Sequence, residues 1–222
     1  MNNTSASSHC KVVVLISGNG SNLQALIDGQ EQGHLPIHIV SVISNIPEAA
    51  GLRRAVKAGI PQYTINHQDF TDREAFDTEL SSTIDQYQPD LVVLAGFMRI
   101  LTSDFTRHYQ GRMLNIHPSL LPKYQGLHTH QRVLDAGDDY HGASVHFVTE
   151  KLDGGPTVIQ AIVPVLKDDN ATSLAKRVQL QEHIIYPMAV KWFARQQLEL
   201  RGNQVLLNHS VLPDCGYQIK QL

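Results

Sequence analysis

Residues 11–29, KVVVLISGNGSNLQALIDG, change period halfway along. Residues 12–16 are continuously apolar, the pattern of a strand covered on both faces. From Asn22 onward, Leu23, Leu26 and Ile27 recur at helical spacing. Between them lies SGNGSN, made of residues that turn a chain. Strand, glycine turn and helix in that order begin a βαβ unit, and the order repeats downstream. HIVSVISN (38–45) reads as a second strand, and EAAGLRRAVKAG (48–59) as a helix that stops at glycine. IPQYTI (60–65) is a short third strand, and the helix over 71–87 carries the stripe Phe76, Leu80, Ile84 and Tyr87. DLVVLAGF (90–97), entered from Pro89, is another continuous apolar run and reads as a central strand. A short helix over 103–109 leads to GRMLNIHPSLLPKYQG (111–126), the fifth strand and its exit. This alternation predicts an α/β fold, an open, mostly parallel, Rossmann-like sheet with helices on both faces.

The rhythm then changes. After a helix over 129–136, HGASVHFVTE and PTVIQAIVPV are extended runs separated by KLDGG, a hairpin signal. They predict an antiparallel strand addition in the C-terminal half. A long helix over about 172–197 presents Leu174, Val178, Ile185, Met188 and Trp192 as core positions. A last strand pair is expected around 205–208 and 217–219. With no low-complexity tract, repeat or linker, the 222 residues read as one domain over 1–222. Within it, 1–10 read as a disordered extension, 11–110 as a phosphate-binding half and 111–222 as the half bearing the catalytic groups.

Composition narrows the function. Eighteen basic and 21 acidic residues give a formal charge of -3, which offers no field for nucleic acid or an anionic membrane. No apolar run approaches the length of a spanning helix, and MNNTSASSHC lacks the charged and apolar regions of a secretory leader. Cys10 and Cys215 lie near opposite ends without a CxxC pair, so neither a disulfide framework nor a structural zinc is expected. A cytoplasmic protein without a metal fits these features.

In SGNGSNL, Gly18 and Gly20 turn the chain and leave the N–H groups of Gly20, Ser21 and Asn22 at a helix start, which suits a phosphate. The alternative is an ordinary turn with Ser21 or Asn22 as N-cap. The third small position of a dinucleotide fingerprint is Leu23, and no Walker lysine follows, so one phosphate fits better than two. Asn115 and His117 stand two apart in NIHP, on one face of an extended segment that Pro118 ends. An amide donor beside an imidazole can polarise a carbonyl and hold a developing oxyanion. A hydrogen-bonded turn histidine is the alternative. His128 and His130 form HTH at a helix start, where their side chains diverge, so they make no zinc pair. Asp153, in KLDGG, is either a turn residue capping its own backbone or a carboxylate that orients His117 and favours its protonated form. GxSxG is absent and no cysteine accompanies a histidine at a helix start, which favours direct attack by a substrate nucleophile.

Five segments then carry a resemblance, in family order: VVLISGNGSNLQALID, DLVVLAGFMRIL, GRMLNIHPSLLPKYQGLHTH, HGASVHFVTEKLDGGPTVIQ and VQLQEHIIYP. Over nearly its whole length the chain resembles the phosphoribosylglycinamide formyltransferases, folate-dependent enzymes of purine synthesis. The resemblance implies transfer of a formyl group from 10-formyltetrahydrofolate to the amine of glycinamide ribonucleotide. It implies catalysis by Asn115, His117 and Asp153, phosphate binding at Gly20, Ser21 and Asn22, and ribose binding at Glu182. It also implies folate contacts for Arg73 near the tail, for Met98, Arg99, Ile100 and Leu101, for Asn115, and for Thr149, Glu150, Lys151, Leu152 and Asp153, a loop that closes on the pterin. From local pattern alone Met98 and Leu101 read as core, and Glu182 as a solvated helix residue. The implied partners are small molecules, with no nucleic acid or membrane, and the implied state is a monomer or weak homodimer. Gln125 departs from the PKYPG form, which is expected to loosen that turn while removing no chemical group.

Three other functions fit parts of this pattern. A methionyl-tRNA formyltransferase shares a similar catalytic domain but carries an added C-terminal domain and a basic surface. A formyltetrahydrofolate hydrolase carries an extra regulatory module before the first strand, which here begins at Val12. A nucleotide-binding module explains residues 18–22 but not Asn115, His117 and Asp153 together.

Overall fold

The computed structural model describes residues 9–220. Most of the expected extension 1–10 therefore lies outside the described residues, but its last residue is ordered: Cys10 opens the first strand and donates its N–H to the Pro36 carbonyl. In chain order the elements are β1 (Cys10–Ile16), α1 (Ser21–Glu31), β2 (Ile37–Ser44), α2 (Ala50–Lys57), β3 (Gln62–Thr64), a 3-10 turn (His67–Asp69), α3 (Arg73–Asp85), β4 (Leu91–Leu94), α4 (Ser103–His108) and β5 (Met113–His117). There follow α5 (Thr129–Ala136), β6 (Tyr140–Phe147), β7 (Thr157–Pro164), α6 (Ala171–Ala194), β8 (Leu198–Arg201), β9 (Gln204–Leu207), β10 (Ser210–Val211) and β11 (Tyr217–Lys220).

Eight strands form one sheet in the order β11-β7-β6-β5-β4-β1-β2-β3. β1 to β5 run parallel, while β6 is antiparallel to both β5 and β7. The α/β sheet with its antiparallel C-terminal addition is thus the fold that the alternating pattern predicts. The last strand pair is a correction. β9 pairs with β8 and β10 in a small separate sheet, and β11 joins the main sheet parallel to β7, so the two expected partners never meet. The GN turn at 202–203 makes a local hairpin between β8 and β9, and local closure takes precedence over a distant partner.

The continuous apolar runs are explained by burial on both faces. Val12, Val14, Ile16, Val93, Leu114 and Ile116 share one core with Leu23 and Leu26 of α1 and with Leu174, Val178 and Ile185 of α6. Val13, Leu15, Val92 and Met113 share the other with Phe76, Leu80 and Ile84 of α3 and Phe105 of α4. Each of these side chains, once removed from water, contributes about 1.5–3 kcal/mol. Met188 and Trp192, expected in the core, are only partly buried and pack at its margin.

Where helices start decides where the site lies. α3 is capped by Asp72, which accepts the Ala75 N–H at 2.8 Å, and α6 by a capping box between Asn170 and Ser173. α1 has no side-chain cap. Its N-cap is Gly20, at φ 73, so the alternative of an ordinary turn capped by Ser21 or Asn22 does not hold. A Cβ at Gly20 would lie 2.7 Å from Gly51 Cα, so glycine is required both by the left-handed turn and by the close passage of α2. β1, β4 and β5 end at one edge of the sheet, and the turns after them line the crevice there, the usual ligand side of an open α/β sheet. The β6–β7 connection adds a further wall: Val148 donates to the Met113 carbonyl, and the loop folds back over the face bearing Asn115 and His117.

One buried hydroxyl ties this edge together. Tyr186 of α6, fully buried, places its hydroxyl 2.9 Å from the carbonyls of both Leu94 and Leu114. Tyr186→Phe leaves those acceptors without it, and the loss expected is about 1–2 kcal/mol. Urea unfolding should then show a lower midpoint with an unchanged m value. An unchanged midpoint would rule out a structural part for this hydroxyl.

Candidate active site

Antiparallel register brings the polar end of β5 against β6, with Asn115 opposite His146 and His117 opposite Ser144. Asp153 comes from the β6–β7 loop with a left-handed φ of 46, tolerated by Asp more readily than by most residues. Its carboxylate does not cap its own turn. Oδ2 accepts the Gly126 N–H at 2.9 Å and lies 3.4 Å from His117 Nδ1. Oδ1 is 3.5 Å from Asn115 Nδ2 and 3.7 Å from His146 Nε2. The His117 and Asp153 side chains are only 7% and 9% exposed, so this contact is largely desolvated. The loop reaches so far inward because it turns tightly at Gly155, where a Cβ would lie 1.9 Å from the Phe147 carbonyl oxygen.

The other nitrogen of His117, Nε2, is 2.9 Å from the Tyr124 carbonyl. A carbonyl only accepts, so Nε2 carries a proton and His117 is a donor. Asn115, His117 and Asp153 therefore converge. Gln125, expected to loosen the turn after β5, instead donates from Nε2 to the Asp153 carbonyl at 3.0 Å.

His146 was not singled out from the sequence. It is 2% exposed, and its Nδ1 is 2.9 Å from the Phe147 carbonyl, which assigns the donor to Nδ1 and leaves Nε2 to accept. The Asn115 amide lies 3.1 Å from that Nε2. This contact fixes the amide so that its NH2 group faces Asp153 and its oxygen faces away. Burial pushes the His146 imidazole down to about 4, with smaller contributions of mixed sign, keeping it neutral. The available signal was the alternation in HGASVHFV, where Ser144 and His146 interrupt one apolar face just as Asn115 and His117 do.

The glycine turn is a second candidate subsite. The first N–H groups of α1 have no intrahelical acceptor and point out of the turn. Arg54 of α2 braces the turn, donating from Nε to the Asn19 carbonyl at 2.8 Å and from Nη2 to Asn19 Oδ1 at 2.7 Å, which also brings positive charge close. Helix dipole and guanidinium together suit an anion. Beside it, Asn22 Nδ2 donates to Glu182 Oε2 at 2.8 Å, and desolvation raises the Glu182 pKa. Glu182 is thus no solvated helix residue. Gln179, also missed, donates to Ser21 Oγ at 3.1 Å.

On the other side a cavity of about 80 Å³ is lined by Phe97, Arg99, Leu101, Asn115, His146 and the loop residues Thr149–Asp153 among others. Met98 and Ile100 stand exposed, at 69% and 53%, as does Leu152 at 48%. The local reading of Met98 as core is corrected, because the chain turns at Gly96 and carries it past the sheet edge. Leu101 does pack against the core. The Arg99 guanidinium stacks 5.1 Å from the Phe76 ring, and Glu150 pairs with Arg107 at 2.7 Å. Arg73 opens α3 and is exposed, away from this cavity lining. Among the described residues no cluster of His, Cys, Asp and Glu is arranged to hold a metal ion.

An imidazole donor, an amide donor and a carboxylate at the floor of a crevice, with an anion subsite beside them, define a site for chemistry at a carbonyl. The chain belongs to the formyl transferase family, whose model matches residues 10–190. It is 54% identical over 206 residues to a phosphoribosylglycinamide formyltransferase of Escherichia coli strain K12, covering 93% of this chain and 97% of that protein. The structure of the phosphoribosylglycinamide formyltransferase from Coxiella burnetii, in complex with CHES, superposes with a TM-score of 0.90 at 51% identity, covering 94% of this chain and 98% of that one. A formyltetrahydrofolate deformylase from Pseudomonas putida is also similar, with a TM-score of 0.82 at 27% identity, and here the match covers 92% of this chain and 72% of that one.

Burial of His146 sets a pH dependence. Between its ordinary 6.5 and about 4 the unfolded chain binds a proton that the folded chain does not. Stability therefore rises with pH across that window and is lost as pH falls through it. His141, held down to about 3 by burial, and His130, lowered for the same first reason, act in the same direction. In urea titrations, His146→Gln should lose stability less steeply between pH 6.5 and 4. A slope equal to that of the wild type would mean that His146 is already protonated in the fold.

Proposed function

We propose that this chain is a phosphoribosylglycinamide formyltransferase, transferring the formyl group of 10-formyltetrahydrofolate to the amine of glycinamide ribonucleotide in purine synthesis. The observation that carries the mechanism is the convergence of Asn115, His117 and Asp153 between the anion-suited turn and the apolar-lipped cleft. The cleft suits a folate: exposed Met98, Ile100 and Leu152 offer apolar cover for a ring system, while Asn115 at its base can donate to a carbonyl. The cavity of about 80 Å³ is below the roughly 300–1,000 Å³ of ligand pockets, so admitting a folate requires residues 149–152 to give way.

10-Formyltetrahydrofolate supplies the formyl carbonyl and a nitrogen leaving group. The N–H groups of Gly20, Ser21 and Asn22 hold the phosphate of the acceptor, and Glu182, steadied by Asn22, accepts from its ribose hydroxyls. As the acceptor amine attacks, negative charge grows on the carbonyl oxygen. Asn115 Nδ2 and His117 Nδ1, which face Asp153 across 3.5 and 3.4 Å, are the donors left for that oxygen, because His117 Nε2 is held by the Tyr124 carbonyl. Asp153 holds the His117 ring in place, and it takes the amine proton through water for return toward the leaving nitrogen. Arg73, Arg99 and Lys151 add positive charge on the side where a folate's acidic tail would lie.

Residues 1–222 are read as one formyltransferase domain, cytoplasmic and working as a monomer or weak homodimer on small molecules, not nucleic acid or membranes. Among the described residues no helix is long and apolar enough to cross a membrane. The proposed halves 11–110 and 111–222 share both subsites, since Glu182 meets Asn22 and Phe97 lines the cavity with Asp153.

The deformylase-like alternative needs only water as acceptor. The linked turn and Glu182 favour a transferase, because they give a phosphorylated sugar somewhere to bind. Formation of tetrahydrofolate, followed spectroscopically, should depend on glycinamide ribonucleotide. Turnover equal in its absence would assign a hydrolase. Asn115→Ala should lower kcat about 10²–10³-fold, with His117→Ala at least as impaired and ribonucleotide binding retained in both. Near-normal turnover by folded His117→Ala would remove it from the mechanism.

A further inference from the structure

We infer that Gln125 is a positioning residue for Asp153: its side-chain amide, acting with the backbone of Gly126, holds the carboxylate against His117. The inference rests on the formyl-transfer reading above and extends it to a residue outside the implied catalytic set.

Three successive residues touch both members of the pair. The Tyr124 carbonyl lies 2.9 Å from His117 Nε2. Gln125 Nε2 donates to the Asp153 carbonyl at 3.0 Å, and the Gly126 N–H donates to Asp153 Oδ2 at 2.9 Å. The two donations do different things. The one from Gly126 orients the carboxylate, whereas the one from Gln125 fixes the peptide plane that follows Asp153. That plane matters because Asp153 is left-handed, at φ 46, a conformation of higher energy for a residue with a Cβ. Released from Gln125, the backbone can relax toward negative φ and carry the carboxylate away from the ring.

A brace is useful only if it is itself anchored, and the 123–127 segment is. Arg132 Nη1 on α5 donates to the Gln125 carbonyl at 2.6 Å and to the Leu127 carbonyl at 3.3 Å, and its guanidinium lies 5.2 Å from the Tyr124 ring centre. Lys123 Nζ and the Tyr124 hydroxyl both donate to Asp138 Oδ2 at 2.9 Å. The connection thus runs from α5 through Gln125 to Asp153. On the far side of Asp153 the Thr149–Asp153 loop is held to neighbouring elements chiefly by the exposed Glu150–Arg107 pair. That pair is worth little in water.

The test is the pH–rate profile with glycinamide ribonucleotide and 10-formyltetrahydrofolate, for wild type, Gln125→Ala and Gln125→Glu. Glutamate keeps the length of the side chain but, when ionised, has no donor for the Asp153 carbonyl. The titratable groups around His117 are Asp153 from the loop, His146 and His141 from β6, and His130 from α5. None of them is substituted in either variant. Both variants should lower kcat roughly three- to tenfold across the profile, with the ribonucleotide KM unchanged. Profiles that superpose on the wild type in both variants would overturn the inference. So would a shift in only one of them, since glutamate alone would indicate added charge and alanine alone lost bulk. Wild-type protein that shows no acceptor-dependent turnover would instead sink the formyl-transfer reading itself.

Discussion

A carboxylate with 9% of its side chain exposed, set against an imidazole with 7%, is the constraint around which this site is built. Taking such a carboxylate out of water costs several kcal/mol, and hydrogen bonds offset it. The molecule supplies one from Gly126 at the exit of β5, and sets His117 and Asn115 of β5 at 3.4 and 3.5 Å and His146 of β6 at 3.7 Å. None of these partners is a neighbour of Asp153 in sequence. The antiparallel β6–β7 addition exists in a mostly parallel sheet, and its consequence is that one loop can fold back over a strand's polar end.

The strands and most helices were legible because burial leaves a period in the sequence. A run such as Val12 to Ile16 is apolar throughout since both faces are covered, and no competing arrangement of those residues satisfies that pattern as well. Asn115 and His117 were legible for the converse reason: they interrupt one face at a strand end. His146 does the same, yet it lies in a strand whose position beside Asn115 depends on register, which no local pattern states. The pairing of β11 with β7 was hidden likewise, because short exposed strands carry little periodicity. Gln125 was read as a loss relative to proline, and its donor to Asp153 appears only once the two loops are seen side by side.

Departures from the expected boundaries share a physical origin. β4 stops at Leu94, before the apolar run ends, because the next residues leave the sheet to form a wall. The Ser17 N–H donates to the Gly96 carbonyl and the Met98 N–H donates to Ser17 Oγ at 2.7 Å, which pins that wall to the end of β1. Hydrophobicity there serves a surface, not a core, so a pattern-based reading places Met98 inside.

Ser17 also stands immediately before the glycine turn, so both proposed subsites hang on the exit of the same strand. Its hydroxyl donates to Asn45 Oδ1 at 2.5 Å, and Asn45, 2% exposed at the end of β2, is held in turn by His67. The glycine turn, the wall before Arg99 and the end of β2 are therefore tied together through Ser17 and Asn45. The β6–β7 loop is held from elsewhere, by Gln125, Gly126 and Asn115 at Asp153 and by Arg107 at Glu150. A substrate that enters between them meets one fixed wall and one adjustable one. That asymmetry fits a reaction in which a phosphorylated acceptor must be held steady while the second reactant is admitted and then enclosed, because enclosure is what strengthens the few donors at the floor.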